Sequence, residues 1–396
     1  MENHILEWLN LAVRWLHITA GIAWIGNAFF FNWLENHLEK QNSCDKVEGD
    51  LWAIHSGGFY HFEKYKDTPA QLPAKLHGFI WESYITWISG FSLLVIVYYF
   101  NAKLYLINPQ SLLSPALAIF IGISLLGVSW YIYDFLCKSK LVQYDRAFLL
   151  LSIILITAIA FGLTQVFSQR AAYIHIGALL GTLMAGNVFF VIIPGQRQVA
   201  SLAKRGEKIN DLLGKKSLQR ALHNNYMILP VLFIMISNHF PSTFAHKWNW
   251  LILTGIILIG GGVRHWFNLR GRGQKNFLIL PLAAVGMFGL LIFTRPHAIK
   301  SNSVVSSVQA MEIIQRRCSS CHSANPTDDV FKTPPSGVTF DNLTEVRARY
   351  EQVKLRVVMT KSMPLGNKTQ MTDNERSLIG QWLIQQLLNR NEKETN

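Results

Sequence analysis

The sequence predicts an all-α protein in two parts, a polytopic membrane bundle of about eight transmembrane helices and a small helical C-terminal domain. Three observations predict it. Half of the 396 residues are hydrophobic and only 15% are charged, against about 25% charged in an ordinary soluble chain. Eight apolar runs approach the ~20 residues that a helix needs to cross a bilayer. A Cys-x-x-Cys-His motif stands near the C-terminus, behind a polar, Ser-rich stretch.

The runs cover residues 11–31, 83–101, 115–135, 147–167, 171–193, 226–240, 248–267 and 277–294. The second and sixth are interrupted by Ser, Tyr, Asn and Pro, as expected of helices that face a site rather than lipid. The first run is too long for the apolar core of a signal peptide and lacks an A-x-A site, so it reads as a retained helix. The net charge of +13 would suit a nucleic-acid binder. Most of the cations lie between apolar runs, however, which excludes that class and gives them a topological meaning. Loops after helices 1, 3, 5 and 7 hold eighteen Lys and Arg, and loops after helices 2, 4 and 6 hold three: Lys103, Arg170 and Lys247. Positive loops stay in the cytoplasm, so both termini face outward.

The membrane part reads as a four-plus-four duplication. Trp15-Leu16-His17 is followed by Gly26-Asn27-Ala28-Phe29-Phe30, and Tyr173-Ile174-His175 by Gly186-Asn187-Val188-Phe189-Phe190. Chance likeness between apolar helices is the competing explanation.

Residues 1–296 form the membrane part, 297–308 a linker and 309–392 the C-terminal domain. Four cysteines are too few for a disulfide scaffold in a chain this long. Cys44 and Cys137 read as ordinary thiols. Cys318-Ser319-Ser320-Cys321-His322 reads as a c-type haem attachment site: two thiols add to the haem vinyl groups and His322 falls beneath the iron. Zinc would need further Cys or His ligands, and none follows His322. The sixth iron ligand is expected from Met363, in Met363-Pro364-Leu365-Gly366-Asn367, with Met359 and Met371 as rivals. A Met-Pro loop before a last helix, here Asp373 onward with Thr372 and Glu375 as a capping pair, is the pattern of a class I cytochrome c domain. Thioether ligation raises the reduction potential, making the iron a ready electron acceptor. Leu378, Ile379, Trp382 and Leu383 have the spacing of a core face. Bacterial haem c is assembled outside the membrane, the side on which the charge count independently places the tail.

Ionisable groups within the membrane are functional candidates by default. His17 and His175 start helices 1 and 5 toward the outer face, with Arg14 one turn before His17. A core histidine satisfied by a neighbouring helix is the other reading of each. Glu82, Asp134, His223, Asn224, Asn225, Arg264 and His265 collect at the inner ends. His55 and His61, in the first cytoplasmic loop, can join them or belong to a solvated face.

Several segments resemble one family. They are Arg14-Trp15-Leu16-His17 with Gly21-Ile22-Ala23-Trp24-Ile25-Gly26, then His55-Ser56-Gly57-Gly58-Phe59-Tyr60-His61-Phe62-Glu63-Lys64-Tyr65, and Trp81-Glu82-Ser83-Tyr84. Met363-Pro364-Leu365-Gly366-Asn367 with Met371-Thr372-Asp373 matches as well. The chain resembles, over essentially its whole length, the bacterial membrane-bound, cytochrome-c-type urate oxidases, also called urate hydroxylases. It departs at Ser56 and at Phe62-Glu63, where the family pattern has Gly and Ile-Gln.

The resemblance implies oxidation of urate, or a related purine, to 5-hydroxyisourate with water as the oxygen source. Electrons would leave through haem c to a downstream cytochrome c or terminal oxidase rather than reduce oxygen to hydrogen peroxide. The setting implied is the bacterial inner membrane, with the cytochrome domain and the N-terminus in the periplasm. For such a substrate Arg264 or Arg14 would pair with the purine anion, and His61, His55 or Glu82 would activate water. The first helix also resembles, more faintly, that of a haem-dependent membrane protoporphyrinogen oxidase family. This implies a second, non-covalent haem b on His17, with His175 as the other candidate. The alternative function is a non-catalytic carrier linking the quinone pool to haem c, although an anchor does not require so many ionisable residues in lipid. The two polar groups lie on opposite sides of a hydrocarbon core about 30 Å thick, and the sequence leaves open which of them binds the purine.

Overall fold

The computed structural model describes residues 2–39, 47–66, 69, 72–73, 75–207, 211–295 and 304–394. Cys44 and most of the expected linker lie outside them. The chain is mostly helical, and each of the eight apolar runs lies on a helix. These are α1 (Glu2–His37), α2 (Trp81–Leu94, continued by the π-helical turn Val95–Tyr99), α4 (Pro115–Lys138), α5 (Asp145–Val166), α6 (Gln169–Gly186), α8 (Asp211–Ser237), α10 (Asn249–Gly271) and α11 (Ile279–Phe293). Short α3 (Ala102–Tyr105) follows α2, and α9 (Pro241–Phe244) follows α8. A π-helical segment, Asn187–Ile192, joins α6 to α7 (Ile193–Lys204) in one rod.

Among the described residues, four helices are long and apolar enough to cross a membrane: α4, α5, the Gln169–Lys204 rod and α10. Such helices are compatible with a membrane protein. Helix α11 is apolar but shorter, and α1 and α8 are long but carry more polar residues. Phe120, Phe135, Leu149, Leu150, Phe288 and Leu291 stand exposed on the outside of the bundle, a surface suited to lipid rather than water.

Helix α6 is the axis of the core. Tyr173, His175, Ile176, Leu179 and Leu180 are fully buried along it, among α4, α5 and α8, which pack on it. Its small residues permit the close approach. A Cβ on Gly186 would lie 2.5 Å from Trp130 Cε3 of α4. Helices α1 and α6 share the His…Gly-Asn-x-Phe-Phe pattern, yet α1 is a largely exposed outer helix that packs chiefly on α2.

The all-α expectation needs one correction. Residues 47–65 form a β-hairpin, β1 (Val47–His55) and β2 (Gly58–Tyr65), with Leu51 opposite Phe62 and Trp52 opposite His61. Alternating apolar residues on either side of a two-residue turn at Ser56-Gly57 are the physical cause, and His55 and His61 therefore lie on strands rather than in an irregular loop. Phe62 packs on Phe30, tying the hairpin to α1.

The tail comprises α12 (Ser307–Arg317), α13 (Leu343–Ala348), α14 (Tyr350–Val353) and α15 (Asp373–Glu394). Its core joins Ile313 and Ile314 to Val346, Val357, Ile379, Trp382 and Leu383. Helix α15 opens on a reciprocal cap: the Glu375 N–H donates to Thr372 Oγ1 (3.2 Å) and the Thr372 N–H to Glu375 Oε2 (2.7 Å).

Because Trp130 fills the space above Gly186, Gly186→Ala is expected to destabilise the bundle by about 1–3 kcal/mol through overpacking. Thermal unfolding in detergent measures this. Adding Trp130→Leu should recover part of the loss, and a double variant no better than the single one would contradict the contact.

Candidate functional site

Polar residues gather at the two ends of the bundle. At the end away from the tail, α8 carries Asn224 and Asn225 side by side. Consecutive helical residues point about 100° apart, so the two serve different networks.

The first network is closed. The Asn187 Nδ2 group donates to Asn224 Oδ1 (2.8 Å) and to the Tyr133 hydroxyl (3.0 Å), while Asn224 Nδ2 donates to Met184 O (3.0 Å). Arg220 donates to Asn187 Oδ1 (3.2 Å) and to Asp134 Oδ1 (2.7 Å). Its guanidinium lies over the Tyr133 ring at 5.0 Å. Lys138 bonds the other Asp134 oxygen at 2.5 Å, and Tyr133 donates to His223 Nδ1 (2.8 Å). A cavity of about 520 Å³ opens beside the Asp134–Arg220 pair, among Trp130, Lys138, Phe190, Gln198 and Lys216. Neither Glu82 nor Arg264 lines it.

The second network is open. Arg264, from α10, donates through Nε to Asn225 Oδ1 and lies 4.4 Å over the Phe29 ring of α1. Asn225 Nδ2 donates to Asn268 Oδ1 at 2.9 Å. Arg264 Nη2 and Asn268 Nδ2 are buried with no hydrogen-bond partner. Glu82 Oε2, at the start of α2, is a third such atom. Antiparallel packing of α1 and α2 sets Gly21 against Thr86 and Phe31 near Phe79. Glu82 therefore lies between those levels, within about a turn of Phe29. Tyr84 stacks on Phe189 at 3.9 Å on the same turn of α2, and the Tyr226 hydroxyl lies 2.7 Å from His265 Nδ1. Unused donors, an unused carboxylate oxygen and aromatic rings together suit a planar, anionic ligand that both donates and accepts hydrogen bonds.

At the tail end His175 is fully buried with both ring nitrogens engaged. Nδ1 donates to Ala171 O (2.8 Å) and Nε2 faces the Tyr99 hydroxyl (3.2 Å). His17 differs. Its Nδ1 donates to Thr86 O (3.0 Å), and Nε2 has no partner among the described residues. Arg14 bonds Asn10 one turn earlier on its own helix (3.0 Å). The two hairpin histidines also separate. His61 Nε2 lies 2.8 Å from the buried Asp50 carboxylate, its ring stacked 4.4 Å from Trp52, while His55 is exposed at the strand end.

In the tail, Cys318 O accepts from the backbone N–H of Cys321 (3.2 Å) and of His322 (2.9 Å), closing the motif into a turn after α12. Both thiols are free. Burial pushes Cys318 up to about 12 and also raises Cys321. His322 donates from Nδ1 to Val338 O (2.9 Å), which fixes the ring and leaves Nε2 on its other side. Among the described residues no group of three or more His, Cys, Asp or Glu could hold a metal ion by itself. Of the candidate methionines, Met371 is buried in the tail core and Met363 lies at its edge. Arg376 pins the Met363 loop by donating to Met363 O (2.5 Å), Val357 O (2.7 Å) and Asn367 Oδ1 (3.1 Å). Lys368 clamps the same loop to Asp328 (2.7 Å) and to Asp329. Burial works against the Asp328 charge, but Lys368 and two backbone N–H groups outweigh it and hold the carboxyl well below its ordinary range. Lys368 is raised in return, burial again opposing.

The structure thus brings Glu82 and Arg264 to one end of the bundle and His175 to the other, with Arg14 toward the His175 side and His17 between them, bonded to Thr86 one turn of α2 from Glu82. Arg220, Asn187 and Asn268 are not among the site candidates read from the sequence, where Asn187 enters only through the Gly-Asn-x-Phe-Phe pattern. Arg220 counts there as a loop cation, yet α8 begins at Asp211 and carries it inside. The polar run Arg220-x-x-His223-Asn224-Asn225 entering an apolar helix was the available signal, as was Asn268 one turn beyond Arg264.

Residues 3–295 match a family model described as urate oxidase N-terminal. No curated protein and no solved structure matches the chain.

The Asp328–Lys368 clamp has a signed pH dependence. A depressed carboxyl stabilises above its ordinary range, and that stability is lost as pH falls through the depressed value; a raised lysine stabilises until pH rises through its raised value. At neutral pH both contributions are present. Asp328→Asn is expected to lower the melting temperature of the tail at pH 7 and to flatten its fall between roughly pH 5 and pH 1. Thermal unfolding across that range measures it, and identical acid profiles would refute the clamp.

Proposed function

The chain belongs to the urate oxidase N-terminal family, and from that premise we propose that it is a membrane-bound oxidoreductase converting urate to 5-hydroxyisourate, with electrons leaving through a covalent haem c on its tail. Urate and water give 5-hydroxyisourate, two protons and two electrons. The single observation that carries the site is the set of unpartnered polar atoms on Glu82, Arg264 and Asn268.

In this reading Arg264 Nη2 and Asn268 Nδ2 donate to the oxygens of the purine anion. Asn225 and the Phe29 ring fix the guanidinium, so these donors are oriented before the ligand arrives. Glu82 accepts a proton from the attacking water. The Asp50–His61 pair on the hairpin is the alternative base, since the carboxylate orients the imidazole. The closed network around Arg220 holds α4, α6 and α8 in place and takes no part in the chemistry.

Cys318 and Cys321 would link the haem vinyl groups, and His322 and Met363 would ligate the iron, with Arg376 and Lys368 holding the methionine loop. Met371 is the weaker candidate because the tail core already uses it. Haem c supplies a one-electron acceptor whose potential the thioether raises. Two electrons therefore leave in succession to a downstream cytochrome c or terminal oxidase. A second, non-covalent haem b would rest on His17, whose Nε2 is free and whose Nδ1 is held by Thr86 O in the manner of an axial ligand; both nitrogens of His175 are engaged. The eight apolar runs on helices, the exposed apolar faces and the asymmetry of Lys and Arg support eight spans of a bacterial plasma membrane, with the tail and the N-terminus outside.

A non-catalytic carrier fed by quinol is the competing reading. Urate added anaerobically to purified, oxidised protein should reduce the tail haem. Arg264→Ala should slow that reduction about 10²-fold or more, the scale of losing an oriented charge-assisted donor. Reduction by a quinol but not by urate would overturn the enzyme reading. Met363→Ala should leave the haem attached but lower its potential in a redox titration, and an unchanged potential would reject the axial assignment.

A further inference from the structure

We infer that the tail receives its electrons at one fixed port, where the Met363 loop docks on α3. The inference rests on the proposed function for the electron donor, and on geometry for the place. The turn Leu365–Asn367 packs on Ala102–Tyr105. A Cβ on Gly366 would stand 3.4 Å from Leu104 O and 3.8 Å from Leu104 Cδ1, so the two segments lie in van der Waals contact there.

The docked face is the one that carries the motif chemistry. Lys368 ties the loop to Asp328. The backbone N–H groups of Thr327 and Asp328 both donate at 3.0 Å to the carbonyl of Ser320, which sits between the two motif cysteines. The methionine loop and the Cys321 side of the motif therefore share one surface. Tyr105, half-buried across the contact, lies within electrostatic reach of Cys321 and Asp328 on the tail and of Arg170 and Tyr98 on the bundle.

The stage under the loop is rigid. The Ser168 hydroxyl donates to Tyr105 O (2.6 Å) and the Ser168 N–H to Leu106 O (2.7 Å). Leu106 is fully buried, and Ile107 pairs with Phe167. These bonds join α3 to the start of α6, the helix that bears His175 against Tyr99. The tail thus presents its thiol and methionine side to the bundle on a firm support, and its remaining surface stays free for a downstream acceptor. Each passage through the port would bring one electron to the bound haem c, reducing its iron, and a downstream cytochrome c would remove it before the second arrives. Leu104 and Tyr105 act as positioning residues, without touching the reacting atoms of the purine.

The experiment uses the full-length haem-loaded protein and Leu104→Arg, with Leu104→Ala as the milder variant should the first not fold. Hydrogen exchange of residues 363–370 reads docking without any turnover. Stopped-flow absorbance reads haem reduction by urate and, separately, by ascorbate. The port predicts a protected loop in the native protein. In Leu104→Arg it predicts faster exchange in that loop and at least a tenfold slower reduction by urate, with the ascorbate rate and the haem potential unchanged. An unprotected native loop, or normal urate-driven reduction despite faster exchange, would overturn it. Failure of urate to reduce the native protein would sink the proposed function instead, while the exchange data would still decide the docking.

Discussion

A polar group buried in an apolar bundle must find its partner inside the protein, and here that requirement is met on one side of α8 and left unmet on the other. In hydrocarbon each unsatisfied donor or acceptor costs several kcal/mol. Around Arg220 the chain meets the cost in full: two side-chain acceptors, an aromatic face and a lysine that neutralises the rest of Asp134. Around Arg264 it does not, although Asn225 is the very next residue after Asn224. In the proposed reading, that contrast separates the residues that support the bundle from those that would bind the purine.

The two ends of the bundle divide the work. The open polar layer lies beside the start of α2 and the end of α10, and the tail docks where α2 has run out into α3. Between them α6 is packed on nearly every side, so the distance between the ends is set by a stiff rod. Gly186 marks how tight that packing is, since it leaves Trp130 no tolerance for a methyl group. The tail repeats the principle on a smaller scale. Arg376 holds two acceptors of the loop that carries Met363 and a third on the helical segment before it, and Lys368 adds an ion pair, so the methionine is placed by bonds within the protein rather than by the metal it is proposed to ligate.

Much of this was legible in the sequence. The apolar runs foretold helices because helical periodicity and length are properties of the chain itself. The Cys-x-x-Cys-His motif and the Thr372–Glu375 cap were legible because their geometry is local. The hairpin has a local signal as well, since Trp52 with Ile54 and Tyr60 with Phe62 recur at every second residue around Ser56-Gly57, as strand faces do. Arg220 counts as a loop cation in the sequence because the apolar run begins only at Tyr226, whereas α8 starts nine residues before Arg220 and carries it against Trp130 and Tyr133. His17 and His175 share a motif and differ in environment, because burial is decided by which helices pack against them. Partners distant in sequence, such as Phe29 with Arg264 or Leu104 with Gly366, become visible only in three dimensions.

The central claim is that water supplies the oxygen and the tail removes the electrons. It is tested most directly by anaerobic turnover of urate in ¹⁸O-labelled water, with oxidised cytochrome c as the acceptor. The account predicts labelled 5-hydroxyisourate and two reduced cytochromes for each urate consumed. Turnover only when oxygen is admitted, with hydrogen peroxide formed, would contradict it.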